Sequence, residues 1–192
     1  MLPAILGMCA ALGARRGEVL ALRWSDIAGD CVRIGRSLTQ TKKLLKFKET
    51  KTGTVRYISV PRSALKILAA RREQQAALKE QFGPAYQSDE DLIFAEPNGS
   101  PLKPDSISSA VSQLFRRLKL PKGASLHTLR HTHGSHLLAA GRGLTAVSKR
   151  LGHSSVRVTA EIYAHAIPGE EHEDARAWDT YQEANRPTRK AN

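Results

Sequence analysis

The sequence lacks long apolar runs, repeats and low-complexity segments, and it contains only two cysteines. No window approaches the roughly 20 consecutive apolar residues of a membrane-spanning helix. The apolar stretch 2–12 has no basic lead-in and runs directly into charged residues, which is typical of neither a signal peptide nor a span. Cys9 and Cys31 lack metal-ligand spacing, which favours a reduced intracellular protein and leaves a disulfide between them open.

Acidic residues are also scarce. Thirty Lys and Arg stand against 18 Asp and Glu, giving a formal net charge of +12. Such a surplus favours a polyanionic partner such as nucleic acid, although a basic protein that binds none has the same composition. The basic residues run from Arg15 to Lys190, so we expect a basic folded surface rather than a disordered arm.

Hydrophobic periodicity predicts an α+β fold that is mainly α-helical, with one small antiparallel three-stranded sheet. The strands are expected within 31–38, 44–49 and 54–60, and residues 50–54 ("TKTGT") have the turn chemistry of a hairpin. Helices are predicted in 3–28 (two, broken at Gly13), 63–81, 107–118, from 127 onwards, 141–152 and 173–184.

Residues 127–136 ("HTLRHTHGSH") hold four of the seven histidines. On a helix, His127, Arg130 and His131 share one arc, whereas His133 and His136 fall among the leucines. The four rings therefore cannot converge on one ion, and a zinc site on the His127–His131 pair needs a further ligand. His127 and Arg130 near a helix N-terminus are instead suited to phosphate, as are the N–H groups there.

Five short patterns in fixed order resemble the tyrosine recombinases (phage integrase family), and the resemblance runs from about Leu2 to His165. They are Gly13-x-Arg15-x-x-Glu18, Lys-Thr-Gly at 51–53, His127-x-x-Arg130, Leu151-Gly152-His153, and Tyr163 ten residues after that histidine. The resemblance implies the catalytic-domain fold of the DNA breaking-rejoining enzymes and metal-independent DNA strand transfer without a cofactor.

In the chemistry that the resemblance implies, Tyr163 attacks phosphorus, forms a 3′-phosphotyrosyl bond and releases a 5′-hydroxyl. Arg15 and Arg130 bind the oxygens of the transition state, and His153 donates a hydrogen bond to the scissile phosphate. Arg16 is the alternative to Arg15 for binding these oxygens.

His127 then assists transfer of the proton from the tyrosine hydroxyl. Lys51 protonates the leaving oxygen, and Lys48 is the alternative residue for this role. Glu18 and His131 support the site by orienting their neighbours.

The resemblance further implies that residues 1–168 are a recombinase catalytic domain without the N-terminal core-binding domain, and that 169–192 form a tail whose short helix docks in a neighbouring protomer. It implies double-stranded DNA as partner, a tetramer on DNA, a monomer in free solution, no membrane association, and a bacterial or phage-encoded cytoplasmic protein at the nucleoid.

Three alternatives stay open. A type IB topoisomerase shares the Tyr–Arg–His–Lys chemistry. A non-catalytic DNA-binding module fits residues 144–163, which superficially resemble a helix-turn-helix. A zinc hydrolase would use the histidines.

Overall fold

The computed structural model describes residues 1–42, 44–50, 53–164 and 171–184. Within these ranges the chain is mainly helical with small antiparallel sheets, which confirms the predicted fold class. No helix in the described ranges is both long and apolar enough to cross a membrane. The helices are α1 (Leu2–Leu12), α2 (Arg16–Leu20), α3 (Arg62–Phe82), α4 (Pro104–Arg117), α5 (Leu126–Ala139), α6 (Leu144–Leu151), α7 (Val156–Tyr163) and α8 (Glu171–Ala184).

Helix α1 forms the centre of the larger core. It has no charged residue, so it can be buried on several sides, and it packs against α3 and α5. It ends at Gly13, whose left-handed conformation (φ 62°) stops the helix and turns the chain toward α2. Cys9 is buried in α1 and Cys31 is half-buried, and both are free thiols.

In the described part of the chain, five short strands form two sheets rather than one. The strands β1 (Ile27–Ala28), β2 (Cys31–Ile34) and β5 (Arg56–Ser59) form a sheet in the order β1-β2-β5, and β3 (Arg36–Thr41) pairs with β4 (Leu44–Glu49). The predicted strand 31–38 is thus divided at Gly35.

The prediction of a hairpin across residues 50–54 is wrong. A turn is present, because the Gly53 N–H donates to the Thr50 carbonyl over 2.8 Å, but the strands before and after it pair with other partners. Strand β5 pairs with β2 because Ile58 can then lie opposite Val32 in the core, whereas β4 is mostly exposed. Burial therefore selects the pairing here, and the local turn does not.

Most predicted helices are present with small shifts at their ends. The second helix predicted within 3–28 is much shorter than expected, because α2 ends at Leu20 and residues 27–28 form strand β1. Helix α3 extends the predicted 63–81 by one residue at each end. Helix α4 begins at Pro104 rather than at the predicted residue 107, since proline is well suited to the first turn of a helix. Helix α5 begins one residue before His127.

Two apolar clusters determine where the functional residues lie. The larger cluster includes Leu126 at the start of α5, and the smaller one consists of Leu138, Val147, Leu151 and Tyr163. Helix α5 contributes to both clusters, so its middle turns lie between them. The arginine and histidines of α5, within 127–136, lie between its two cluster residues Leu126 and Leu138.

Candidate active site

Arg15 lies in the short extended link between α1 and α2, where Glu18 holds it. The Arg15 backbone N–H donates to Glu18 Oε2 over 2.8 Å, and Arg15 Nη1 donates to Oε1 over 2.9 Å. Burial by itself would raise the pKa of Glu18, but hydrogen bonds and charges from Arg56 and Arg15 lower it below its usual range. Glu18 is therefore a buried carboxylate, while the Arg15 side chain stays 30% exposed.

Arg130 projects from the first turns of α5 and is only 2% exposed. Its Nη1 donates to the Gly13 carbonyl over 2.8 Å, which ties α5 to the end of α1. Its buried Nη2 has no hydrogen-bond partner among the described residues. Burial, and then the charge of Arg15, lower the pKa of Arg130 to about 10, so it is charged at neutral pH.

Arg15, His127 and Arg130 line one cavity of about 240 Å³. Arg16 also lines it, but its Nη1 donates to the Pro104 carbonyl over 2.9 Å and to the Ser108 hydroxyl, so its guanidinium is tied to α4. Two guanidinium groups and an imidazole around so small a space make a site for an oxyanion such as phosphate.

The histidines of α5 lie on different sides of the helix. His127 and His131 are in edge contact, with ring centroids 4.6 Å apart. His133 lies elsewhere: its Nδ1 is 2.8 Å from the Ala10 carbonyl, and its Nε2 accepts from Arg150 Nε over 2.9 Å. Burial, and then neighbouring positive charge, lower the pKa of His127 and of His131, which favours the neutral rings.

His153 follows Gly152, which ends α6 in the left-handed conformation as predicted. Its Nδ1 lies 2.7 Å from the buried Thr159 hydroxyl, so a residue of α7 orients the ring. Burial, followed by the charges of Arg130 and Arg15, lowers the pKa of His153 to about 4. His153 and Arg15 line a second, larger groove of about 1070 Å³.

Tyr163 ends α7 and is 1% exposed. Its ring lies over Gly134, with the His131 and His153 ring centroids 5.8 and 6.3 Å away. Its hydroxyl has no hydrogen-bond partner among the described residues, and burial raises the pKa of the phenol against the lowering effect of Arg130.

The structure therefore brings together most of the residues selected from the sequence, namely Arg15, Glu18, His127, Arg130, His131, His153 and Tyr163. Lys51 lies outside the described residues, so its position relative to the site stays a prediction. Lys48, its rival, is exposed on β4 opposite Ser37.

Two residues at the candidate site were not predicted from the sequence. Arg56, 9% exposed, forms a paired contact with Glu18, and Gly134 provides the space over which Tyr163 lies. A signal for Arg56 was present, because it shares the inward face of β5 with Ile58 in an alternating strand. A charged residue on such a face needs a buried partner. Nothing in the local pattern around Gly134 indicated its role.

The chain belongs to the phage integrase family, whose family model matches residues 2–170. It is similar to a XerC-like tyrosine recombinase of Caldanaerobacter subterraneus subsp. tengcongensis, with 29% identity over 81% of this chain and 43% of that protein. It is also similar to the ICEBs1 integrase of Bacillus subtilis, with 29% identity over 87% of this chain and 45% of that protein. The chain thus spans about half the length of these relatives.

The fold is also similar to solved structures. The Tn1549 transposon integrase, in complex with a circular intermediate DNA, has a TM-score of 0.73 at 19% identity over 93% of this chain and 57% of that one. XerA recombinase has a TM-score of 0.65 at 21% identity over 96% of this chain and 57% of that one.

Proposed function

We propose that residues 1–168 are the catalytic domain of a site-specific DNA recombinase that breaks and rejoins DNA through a 3′-phosphotyrosine bond at Tyr163. The observation that carries this proposal is the meeting of Arg15, His127 and Arg130 around one small cavity, with Arg130 Nη2 and Tyr163 Oη among the four buried side-chain polar atoms that have no partner in the described residues. An unpaired buried polar group costs about 1–3 kcal/mol, so it calls for a functional explanation. A DNA phosphodiester accepts a hydrogen bond from Arg130 Nη2, and its phosphorus is the electrophile for Tyr163 Oη.

In the proposed step, Tyr163 Oη bonds to phosphorus and the bond from phosphorus to the 5′-oxygen breaks. The tyrosine proton passes to His127, and Lys51 protonates the leaving oxygen. Arg15 and Arg130 bind the non-bridging oxygens, where negative charge grows in the transition state. A 5′-hydroxyl of another strand then reverses the step, so strands are exchanged without loss of bond energy.

His153 acts as a neutral hydrogen-bond donor in this scheme. With a pKa of about 4 it carries no charge at neutral pH. If the Thr159 hydroxyl donates to Nδ1, the ring proton is placed on Nε2, from which it is donated to a phosphate oxygen.

Attack requires α7 to move. Tyr163 is 1% exposed, so its hydroxyl reaches a DNA phosphate only when the ring leaves its place over Gly134. Helix α7 has only eight residues, and its N-cap hydrogen bond from the Val158 N–H to Ser155 Oγ is long at 3.4 Å. We infer that DNA binding shifts α7 and exposes the nucleophile.

The partners proposed are double-stranded DNA and further copies of the chain, in the cytoplasm at a bacterial nucleoid. The net charge of +12 favours DNA.

Helix α8 differs from the basic remainder of the chain, with five acidic residues, one arginine, and the exposed, stacked rings of Trp178 and Tyr181. We propose that this tail segment (169–192) docks on the basic surface of a neighbour in a DNA-bound tetramer, and that the free chain is a monomer. Light scattering with and without DNA tests this, and a Trp178→Ala variant that assembles like wild type would contradict it.

The decisive experiment traps the covalent intermediate. Because the target sequence is unknown, the chain is incubated with a pool of duplexes that carry a randomised segment and a nicked strand, so that the released 5′-hydroxyl fragment dissociates. We expect a denaturant-resistant adduct that maps to Tyr163, is lost in Tyr163→Phe and forms in the presence of chelator. Absence of any adduct would overturn the proposal in favour of a DNA-binding module.

The same preparation separates the remaining alternatives. Loss of activity with chelator would indicate a zinc hydrolase. Relaxation of supercoiled DNA without exchange between paired sites would indicate a type IB topoisomerase. Either result contradicts the recombinase proposal.

A further inference from the structure

We propose that Arg56 is a positioning residue that fixes Arg15 and the turn carrying His153 relative to each other. This inference rests on the proposed function, because it concerns the geometry of that site. Arg56 is the first residue of β5, far along the chain from both groups, and its guanidinium is directed away from solvent.

One end of the contact is a paired interaction with Glu18. Arg56 Nη1 donates to Glu18 Oε1 over 3.1 Å, and Nη2 donates to Oε2 over 2.6 Å. Each of these oxygens also accepts one bond from Arg15, over 2.9 and 2.8 Å respectively. The carboxylate therefore holds four hydrogen bonds in a fixed arrangement, and its plane, set by Arg56, determines where Arg15 points.

The other end of the contact is the C-terminus of α6. Arg56 Nε donates to the Arg150 carbonyl over 3.0 Å, two residues before Gly152. The Gly152 backbone lies directly against the guanidinium, since a Cβ on that glycine would be 2.8 Å from Arg56 Nη1. A positive charge is also favourable at a helix C-terminus. Arg15 Nη2 also donates to the Gly152 carbonyl over 3.3 Å, so Arg56 supports this turn together with the arginine that it orients through Glu18.

Arg56 lowers the pKa of Glu18 more than Arg15 does, but it is not the only counter-charge of this carboxylate. Arg15 already pairs with this carboxylate, and the surroundings include the further positive charge of Arg130. Desolvating a second guanidinium beside a buried carboxylate adds little net stability. A bidentate group that connects two parts of an active site is better explained by the geometry that it imposes.

The test is single-turnover formation of the Tyr163 adduct by the full chain. Arg56→Gln should lower the rate constant by about 100-fold, the usual effect of misplacing catalytic groups by about 1 Å, with DNA affinity changed less than about threefold. Arg56→Lys keeps the charge without the bidentate geometry and should stay at least about tenfold slow. Glu18→Gln combined with Arg56→Gln should be no slower than the slower single variant.

Arg71→Gln is the matched control. Arg71 is also buried, at 3% exposure, but its Nε donates to the Ile93 carbonyl over 2.8 Å, within the core. It should lose stability while keeping the wild-type rate below its melting temperature. If Arg56→Lys matches wild type, if Arg56→Gln behaves like Arg71→Gln, or if the losses at Glu18 and Arg56 simply add, the positioning role is refuted. If wild type forms no adduct, the proposed function itself fails.

Discussion

Replacing Gly134 with alanine should displace the proposed nucleophile. A methyl group at residue 134 would lie 2.6 Å from Cζ, 2.7 Å from Oη and 2.8 Å from Cε1 of Tyr163. These atoms belong to a rigid ring, so the whole side chain or α7 must shift. Overpacking of this kind costs about 1–3 kcal/mol. The higher helix propensity of alanine offsets about 1 kcal/mol, and we expect a net destabilisation of up to about 2 kcal/mol.

The assay is urea unfolding in two backgrounds. Tyr163→Leu keeps an apolar side chain but removes the three contacting atoms. In that background Gly134→Ala should stabilise the chain by about 1 kcal/mol, because only the helix propensity remains. The sign of the effect therefore reverses between the backgrounds. An equal change in the free energy of unfolding in both would refute the placement of Tyr163 over Gly134.

Three further predictions concern catalysis, pH and salt. Arg130→Ala should lower the rate of adduct formation by at least about 10²–10³-fold, because the main contact of Arg130 strengthens in the transition state. DNA affinity in equilibrium binding should fall only modestly. Equal losses in rate and affinity would show that Arg130 is a docking residue only. The free energy of unfolding should fall as the pH drops from 6.5 toward 4, because a histidine in the unfolded chain takes up a proton there while the folded His153, with its pKa of about 4, does not. The contribution of His153 is at most about 3 kcal/mol and is reduced by the partial exposure of the ring; urea titrations in which His153→Gln leaves the slope unchanged would contradict it. The logarithm of the DNA association constant, measured by fluorescence anisotropy, should fall linearly with the logarithm of salt concentration, by about 0.9 per phosphate neutralised; a salt-independent constant would exclude a basic binding surface.

The candidate site was predictable from the sequence where it depends on backbone periodicity. The three-residue spacing places Glu18 beside Arg15, and the helical repeat places His127 and His131 in ring contact. The left-handed stop at Gly152 is equally local. Such features depend on a few consecutive residues and on helix geometry, which the sequence specifies directly.

Features that depend on distant segments were not predictable in this way. The turn chemistry of 50–54 predicted pairing between its flanking strands, yet burial of Ile58 against Val32 joins β5 to β2 instead. The pairing of Arg56 with Glu18, 38 residues apart, follows from that choice of sheet.

The sequence by itself determined which reactive groups this protein carries, because its arginines, histidines and tyrosine, with their spacings, are the groups of the proposed anion site and nucleophile. Only the tertiary structure decided how these groups are held: Glu18 shared between two guanidinium groups, and Tyr163 buried over Gly134. The physical reason is that local spacing fixes which side chains share a helix face or turn. The partner that each side chain meets is selected by burial and hydrogen bonding across the whole folded chain.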